Sequence, residues 1–172
     1  SGFRSAIERA GLSFHVTSKA LPGRVYVDRE MWEKIVLNLL SNAFKFTFQG
    51  GIAVSIEPSA DGKSAVLIVR DTGVGVPRHE LPRLFERFHR VENQRSRSFE
   101  GSGIGLALVY ELAKQHGGDI AVESEVGKGT AFFVTIPLGV AHLPTEKVHE
   151  QSKPIISSLR SESFVGEALR WL

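Results

Sequence analysis

Asn38, Asn42 and Lys45 recur at helical spacing, Asp71 stands just ahead of Gly73 and Gly75, and Gly101, Gly103 and Gly105 alternate ahead of Leu106. Asn42 can offer a neutral, hard oxygen to Mg²⁺, which prefers oxygen ligands and keeps several waters beside phosphates. Lys45, one turn on, can neutralise phosphate charge. An ionised Asp71 only accepts hydrogen bonds, so it suits an exocyclic amine and a ring N–H, or a water bonded to one. Gly73 and Gly75 would let the backbone turn sharply and lie against a flat base. Bare glycine N–H groups at a helix start favour phosphate through donors and dipole together. The amide of Asn38 cannot act as a general base, so it does not suit activation of water or a hydroxyl.

Each feature also has a plainer reading. Asp-x-Gly is common in turns, where the carboxylate simply caps. Alternating glycines can form a flexible loop, and Asn and Lys on a helix usually face water. The glycine pattern is not the dinucleotide fingerprint, because Leu106 occupies the sixth position. Nor is it a P-loop, since no Gly-Lys-Ser/Thr follows. What favours a shared site is that all the features occur together.

The elements that would carry these residues follow from periodicity. Asp28 is a plausible N-cap for a long helix reaching about Phe46. At 100° per residue Trp32, Ile35, Val36, Leu39, Leu40, Ala43 and Phe46 sweep one apolar arc, with Asn38, Asn42 and Lys45 along one edge of it. Leu12, Phe14 and Val16 alternate as a short strand, and Val25 and Val27 read as another. Ile52, Val54 and Ile56 alternate as a half-buried strand. After the Asp61-Gly62 turn, 65–69 is a solid apolar run that reads as a central strand ending just before Asp71. Residues 79–90 read as helical, 93–101 as a polar loop, and 103–116 as a second helix stopped by Gly117-Gly118. Strands over 120–124 and 130–137 close the series around a Gly127-Lys128-Gly129 turn. Adjacent hairpins argue for a mixed or antiparallel sheet with helices on one side, an α+β sandwich.

A chain of 172 residues with 42% apolar content fits one domain with a full core and some length left over. With no cysteine, disulfides, zinc clusters and thiol catalysis are excluded, which suits a reducing compartment. No apolar run approaches the roughly 18 residues of a membrane span. Net charge is +2. Arg83, Arg87, Arg90, Arg95 and Arg97 cluster without a nucleic-acid docking pattern, so phosphate binding in the protein's own site explains them better. His116 reads as a helix C-terminal residue, favourable there when charged. Phe85 and Phe88 read most simply as core aromatics. The domain is expected over 1–139. Residues 140–172 read as a linker and a short amphipathic helix carrying Phe164, Val165, Ala168, Leu169 and Leu172. The start at Ser1, without an initiator Met, reads as an excised or processed fragment.

Four segments and a closing motif together resemble the ATP-binding catalytic domain of two-component sensor histidine kinases. They are Asn38-Leu-Leu-Ser-Asn42-Ala-Phe-Lys45, Asp71-Thr-Gly73-Val-Gly75-Val-Pro, Leu84-Phe85-Glu-Arg-Phe88-His-Arg90, Gly101-Ser-Gly103-Ile-Gly105-Leu106 and Gly127-Lys-Gly129-Thr130. The likeness covers roughly residues 20–138. It implies a two-layer α/β sandwich of the Bergerat type, with a mixed, mostly antiparallel sheet and helices on one face. It also implies ATP and Mg²⁺ as ligands, with the metal on Asn42, the adenine amino group on Asp71, and Arg90 approaching the terminal phosphate. Thr130 matches the family's last motif, near the adenine-reading aspartate. Phe85 and Phe88 would anchor a lid over 93–101. Relatives that hydrolyse ATP or phosphorylate serine carry Glu where Asn38 stands, so Asn38 points toward a histidine acceptor.

None of the six histidines has the sequence context of a phosphoacceptor, so the acceptor would lie outside this chain, on a dimerisation hairpin. No nucleic acid or membrane contact is expected of this fragment, and the resemblance further implies a response regulator receiver domain as an indirect partner. It implies a mainly monomeric fragment and a cytoplasmic location, with membrane anchoring of the parent left open. A nucleotide-binding pseudokinase module is the alternative, and an ATPase or serine kinase of the same superfamily a more distant one.

Overall fold

In the computed structural model, which describes residues 2–92, 94–97 and 103–139, the longest element is a helix fixed at its start by one side chain. The Asp28 carboxylate accepts the Met31 N–H at 2.9 Å, and α2 (Arg29–Phe46) runs from there. It follows α1 (Gly2–Arg9) and β1 (Ser13–Ser18), and precedes β2 (Gly51–Pro58) and β3 (Ser64–Asp71). A short 3₁₀ helix (Arg78–Arg83), α3 (Gly105–Gln115), β4 (Asp119–Glu125) and β5 (Gly129–Pro137) complete the domain.

The strands form one sheet in the order β1-β2-β3-β5-β4. β1 and β2 are parallel, as the intervening α2 crossover requires, and all other pairs are antiparallel. Register sets one apolar face: Val54 lies opposite Val69, Ile56 opposite Leu67, and Val69 and Leu67 opposite Phe132 and Val134. Those six residues are buried together with Trp32, Ile35, Val36, Leu39, Leu40 and Ala43 of α2 and Val109, Leu112 and Ala113 of α3. The opposite face carries Ala53, Arg70 and Ala121, all exposed. The architecture is thus the expected α+β sandwich, a mixed five-stranded sheet with helices packed on it.

Three expectations about elements change. Residues 79–90 are not one helix: the 3₁₀ turn contains Pro82, which lacks the N–H a continuing helix would use. Val25 and Val27 are buried but belong to no strand, since alternate burial does not supply a partner for ladder hydrogen bonds. The N-terminal α1, unforeseen from sequence, seats Ile7 fully in the core. Residues 140–172, with their expected linker and terminal helix, lie outside the described residues, as do Asn93 and 98–102, which include Gly101.

His116 also differs from expectation. It is buried, its Nε2 accepts the Asp28 N–H at 3.0 Å, and its Nδ1 lies 2.7 Å from the Leu112 carbonyl. An accepting Nε2 needs its lone pair, so the ring is the neutral Nδ1–H tautomer. It ties the end of α3 to the start of α2 rather than presenting a charge to a helix dipole.

Candidate functional site

The polar edge of α2 does not face open water. Asn38, Asn42 and Lys45 line an open cleft of about 300 Å³ whose other walls include His89, Arg90, Gln94 and the start of α3 at Gly103, Gly105 and Leu106. A narrower recess of about 30 Å³ continues inward, lined by Asn42, Asp71, Gly75, Leu106 and Thr130. Asn42, Phe46, Leu84, Gln94 and Leu106 belong to both, so the two form one cleft with a wide outer and a narrow inner part.

Asp71 is the last residue of the central strand, opposite Ile52 on one side and Thr130 on the other. It is 6% exposed. Its Oδ1 accepts the Gly73 N–H at 2.8 Å and the Thr130 N–H at 3.3 Å. Burial raises its pKa, and the two backbone donors, with the Thr47 hydroxyl, offset part of that rise. Gly75, at φ +74°, passes so close to the β4–β5 turn that a Cβ would stand 2.1 Å from the Glu125 carbonyl oxygen. Only glycine keeps the recess wall there.

The outer cavity is basic. Burial lowers the pKa of Lys45, and the neighbouring Arg90 guanidinium lowers it further. Two cations directed at one cavity repel each other, and an anion between them would relieve that repulsion. Asn38 donates its amide to the Lys34 carbonyl at 2.7 Å, which fixes its rotamer on α2. Gly105 meets it closely: a Cβ at that position would lie 2.8 Å from Asn38 Oδ1.

The aromatic pair separates. Phe85 stacks on Tyr110 with centroids 6.0 Å apart and meets Phe132 edge-on, packing against the core as expected. Phe88 is 71% exposed and is not a core residue. Its φ of +63° is the one positive value on a non-glycine among the described residues, and this turns its ring outward. Neither phenylalanine lines the cleft, and neither does Gly73, which acts through its N–H on Asp71.

The arginine cluster does not serve one phosphate site. Arg90 alone of the five lines the cleft. Arg83 pairs with Glu86 at 3.2 Å and Arg87 with Glu111. Arg95 lies 3.9 Å over the Phe48 ring. Arg97 donates to the Thr47 carbonyl at 2.7 and 3.0 Å and to that of Phe44 at 3.1 Å, capping the end of α2. Sequence reading passed over His89 and Gln94. His89 stood between two motif residues, which was a usable signal; Gln94 sits in a loop with no periodicity to mark it. Gln94 donates to the Gly75 carbonyl at 3.1 Å across the junction of the two compartments.

A cleft with a carboxylate floor and a basic mouth, on this sheet order, defines a class that comparison with known proteins makes specific. Residues 27–140 match the family model described as "Histidine kinase-, DNA gyrase B-, and HSP90-like ATPase". Sensor histidine kinase RcsC of Escherichia coli (strain K12) is 45% identical over 115 residues, covering 67% of this chain and 12% of that protein. Sensor histidine kinase WalK of Bacillus subtilis (strain 168) is 36% identical over 121 residues, covering 68% and 20%. Among solved structures, the mycobacterial sensor histidine kinase MprB superposes with a TM-score of 0.65 at 32% identity, over 79% of this chain and 93% of that one. Full-length ShkA in complex with AMPPNP gives a TM-score of 0.66 at 27% identity, over 83% of this chain and 30% of that one. The chain therefore belongs to this ATPase family and, within it, is the ATP-binding catalytic domain type of sensor histidine kinases. It spans only a minor part of these curated relatives' length.

Proposed function

We propose that the cleft binds Mg-ATP and that the domain transfers the γ-phosphoryl group to a histidine on a separate dimerisation hairpin. The observation that carries this reading is the polarity of the cleft: a buried acceptor, Asp71, at the inner end and two cations, Lys45 and Arg90, at the outer end. That order matches a base joined to a polyphosphate. Asp71 would accept from the adenine amino group, directly or through water, beside Gly75 and Thr130. Gln94 would give up its bond to Gly75, because the inner recess, at about 30 Å³, has room for only a few waters as it stands.

Asn42 lines both compartments, where a divalent ion would meet the phosphates, and a single amide oxygen suits Mg²⁺ that takes its other ligands from phosphate and water. When bound, the metal supplies charge neutralisation between phosphate oxygens. Lys45, Arg90 and the N–H groups of Gly103 and Gly105, with Gly101 by family likeness, would hold the polyphosphate in line with an incoming imidazole. An imidazole can attack as a nucleophile without a protein base, which fits a cavity where Asn38 stands in place of a carboxylate. The response regulator would then receive the phosphoryl group from the hairpin.

Supplying an acceptor hairpin with its histidine tests the proposal. Radiolabelled γ-phosphate should appear on the hairpin as an acid-labile phosphohistidine, and none should appear when the histidine is replaced. Nucleotide binding without transfer would favour a pseudokinase module. Asn38→Glu should leave nucleotide affinity within about threefold and raise steady-state hydrolysis by about tenfold or more, the lower range of general-base effects; no gain would show that more than a base separates this domain from hydrolytic relatives.

A further inference from the structure

We infer that His89 is an additional nucleotide-phosphate contact of the outer cavity and that Glu80 is its positioning residue, a reading that rests on the Mg-ATP proposal above. His89 lines the cavity with Lys45 and Arg90, yet its side chain is only 9% exposed. Its Nε2 lies 2.5 Å from Glu80 Oε2, a short contact of the charge-assisted kind. Glu80 itself is 17% exposed and comes from the 3₁₀ turn, so two different segments meet to hold one ring.

The backbone between Phe88 and Arg90 is built around this placement. Phe88 stands in the left-handed region, which bulky residues seldom adopt, and its N–H donates to the Gly103 carbonyl at 3.0 Å. At Gly103, φ +71°, a Cβ would stand 2.9 Å from Phe88 Cα. The strained turn sends Phe88 to solvent and His89 into the cavity wall, beside the glycines expected at the phosphates. Such strain persists only where the surrounding structure over-determines it.

With Nε2 committed to a carboxylate, the remaining ring nitrogen decides what His89 can do. In the neutral ring Nδ1 is an acceptor, which a phosphate oxygen does not suit; in the imidazolium it is a donor, which it does. The other charged and titratable groups at this corner are His79, 3.6 Å from the second Glu80 oxygen, and Lys45 and Arg90 across the cavity. A polyphosphate entering there would bring the negative charge that favours a third cation.

The test is an affinity ladder of adenosine, ADP and a non-hydrolysable ATP analogue on wild type, His89→Phe and Glu80→Gln, after thermal unfolding has shown that each variant folds. His89→Phe should lose about tenfold for ADP and the ATP analogue, the lower value for a charge-assisted hydrogen bond, and nothing for adenosine. Glu80→Gln, nearly isosteric and still able to accept from Nε2, should lose several-fold in the same pattern. Equal loss for adenosine and the phosphorylated ligands would mean a structural role only, and wild-type affinities in both variants would remove the contact altogether. If His89→Phe does not fold, Glu80→Gln decides alone: unchanged affinity for the phosphorylated ligands overturns the inference. Wild-type protein that binds none of the three would sink the nucleotide reading itself, a result distinguishable from the others.

Discussion

At the scale of single residues, the carboxyl of Asp71 carries the most consequence. Burial raises its pKa, so the folded state holds its proton more tightly than the unfolded chain does. Its contribution to stability is therefore largest below the unfolded pKa and is lost as pH rises through the folded one. Ligand reading runs the other way, because only the ionised carboxylate accepts from an amine with both oxygens. Nucleotide affinity should fall on acidification, starting at a higher pH than an ordinary aspartate would give. Calorimetric titrations from neutral to mildly acidic pH check this, and an affinity independent of pH across that range would contradict it. Phe88 gives a second test at the same scale. Its φ of +63° costs roughly 1–2 kcal/mol in a non-glycine residue, and its ring is mostly in water. Phe88→Gly should leave stability unchanged or raise it by up to about 1 kcal/mol in urea unfolding, allowing for the entropy glycine adds to the unfolded chain. A loss of that size would show that the ring makes contacts its exposure does not suggest.

At the scale of elements, the end of α2 is fixed by a side chain distant in sequence. Arg97 caps the Phe44 and Thr47 carbonyls, its backbone N–H reaches the Lys45 carbonyl at 2.8 Å, and its guanidinium lies 4.9 Å from the Phe44 ring and 5.0 Å from that of Phe48. The same segment carries Gln94, so the cap also fixes the loop across the cleft. Arg97→Ala should lower stability by about 1–2 kcal/mol in urea unfolding, and Arg97→Lys should recover less than half, since an ammonium cannot fork between two carbonyls. Full recovery by lysine would reduce the cap to simple charge. Sequence could not show this, because two positions fifty residues apart carry no common period. What sequence did show was local: the capped, amphipathic α2, the paired strands around tight turns, and the glycines ending α3 all follow from spacing. The elements misread were those decided by tertiary context, such as Val25 and Val27, buried without a strand partner, and 79–90, broken at Pro82.

At the scale of the whole molecule, the sheet order brings together residues from four parts of the chain. Asp71 ends the central strand, Thr130 enters its neighbour, α2 presents Asn38, Asn42 and Lys45, and α3 begins at Gly105. The motifs named these residues in the sequence because each follows a local rule of turn or helix edge. They did not reveal that Arg97 would be structural, that His116 would join two helices as a neutral ring, or that His89 would face the cavity. Those depend on which partner each side chain finds. No helix among the described residues is long and apolar enough to cross a membrane.

On this reading the cleft recognises a nucleotide from its buried end. The most direct test is calorimetric titration of a non-hydrolysable ATP analogue, with and without Mg²⁺, into wild type and Asp71→Asn. Binding to wild type is expected, tighter with the metal, with a loss of about 2 kcal/mol or more in the variant, the scale of a charge-assisted hydrogen bond. Wild-type affinity in Asp71→Asn, or no binding to wild type at millimolar nucleotide, would contradict it.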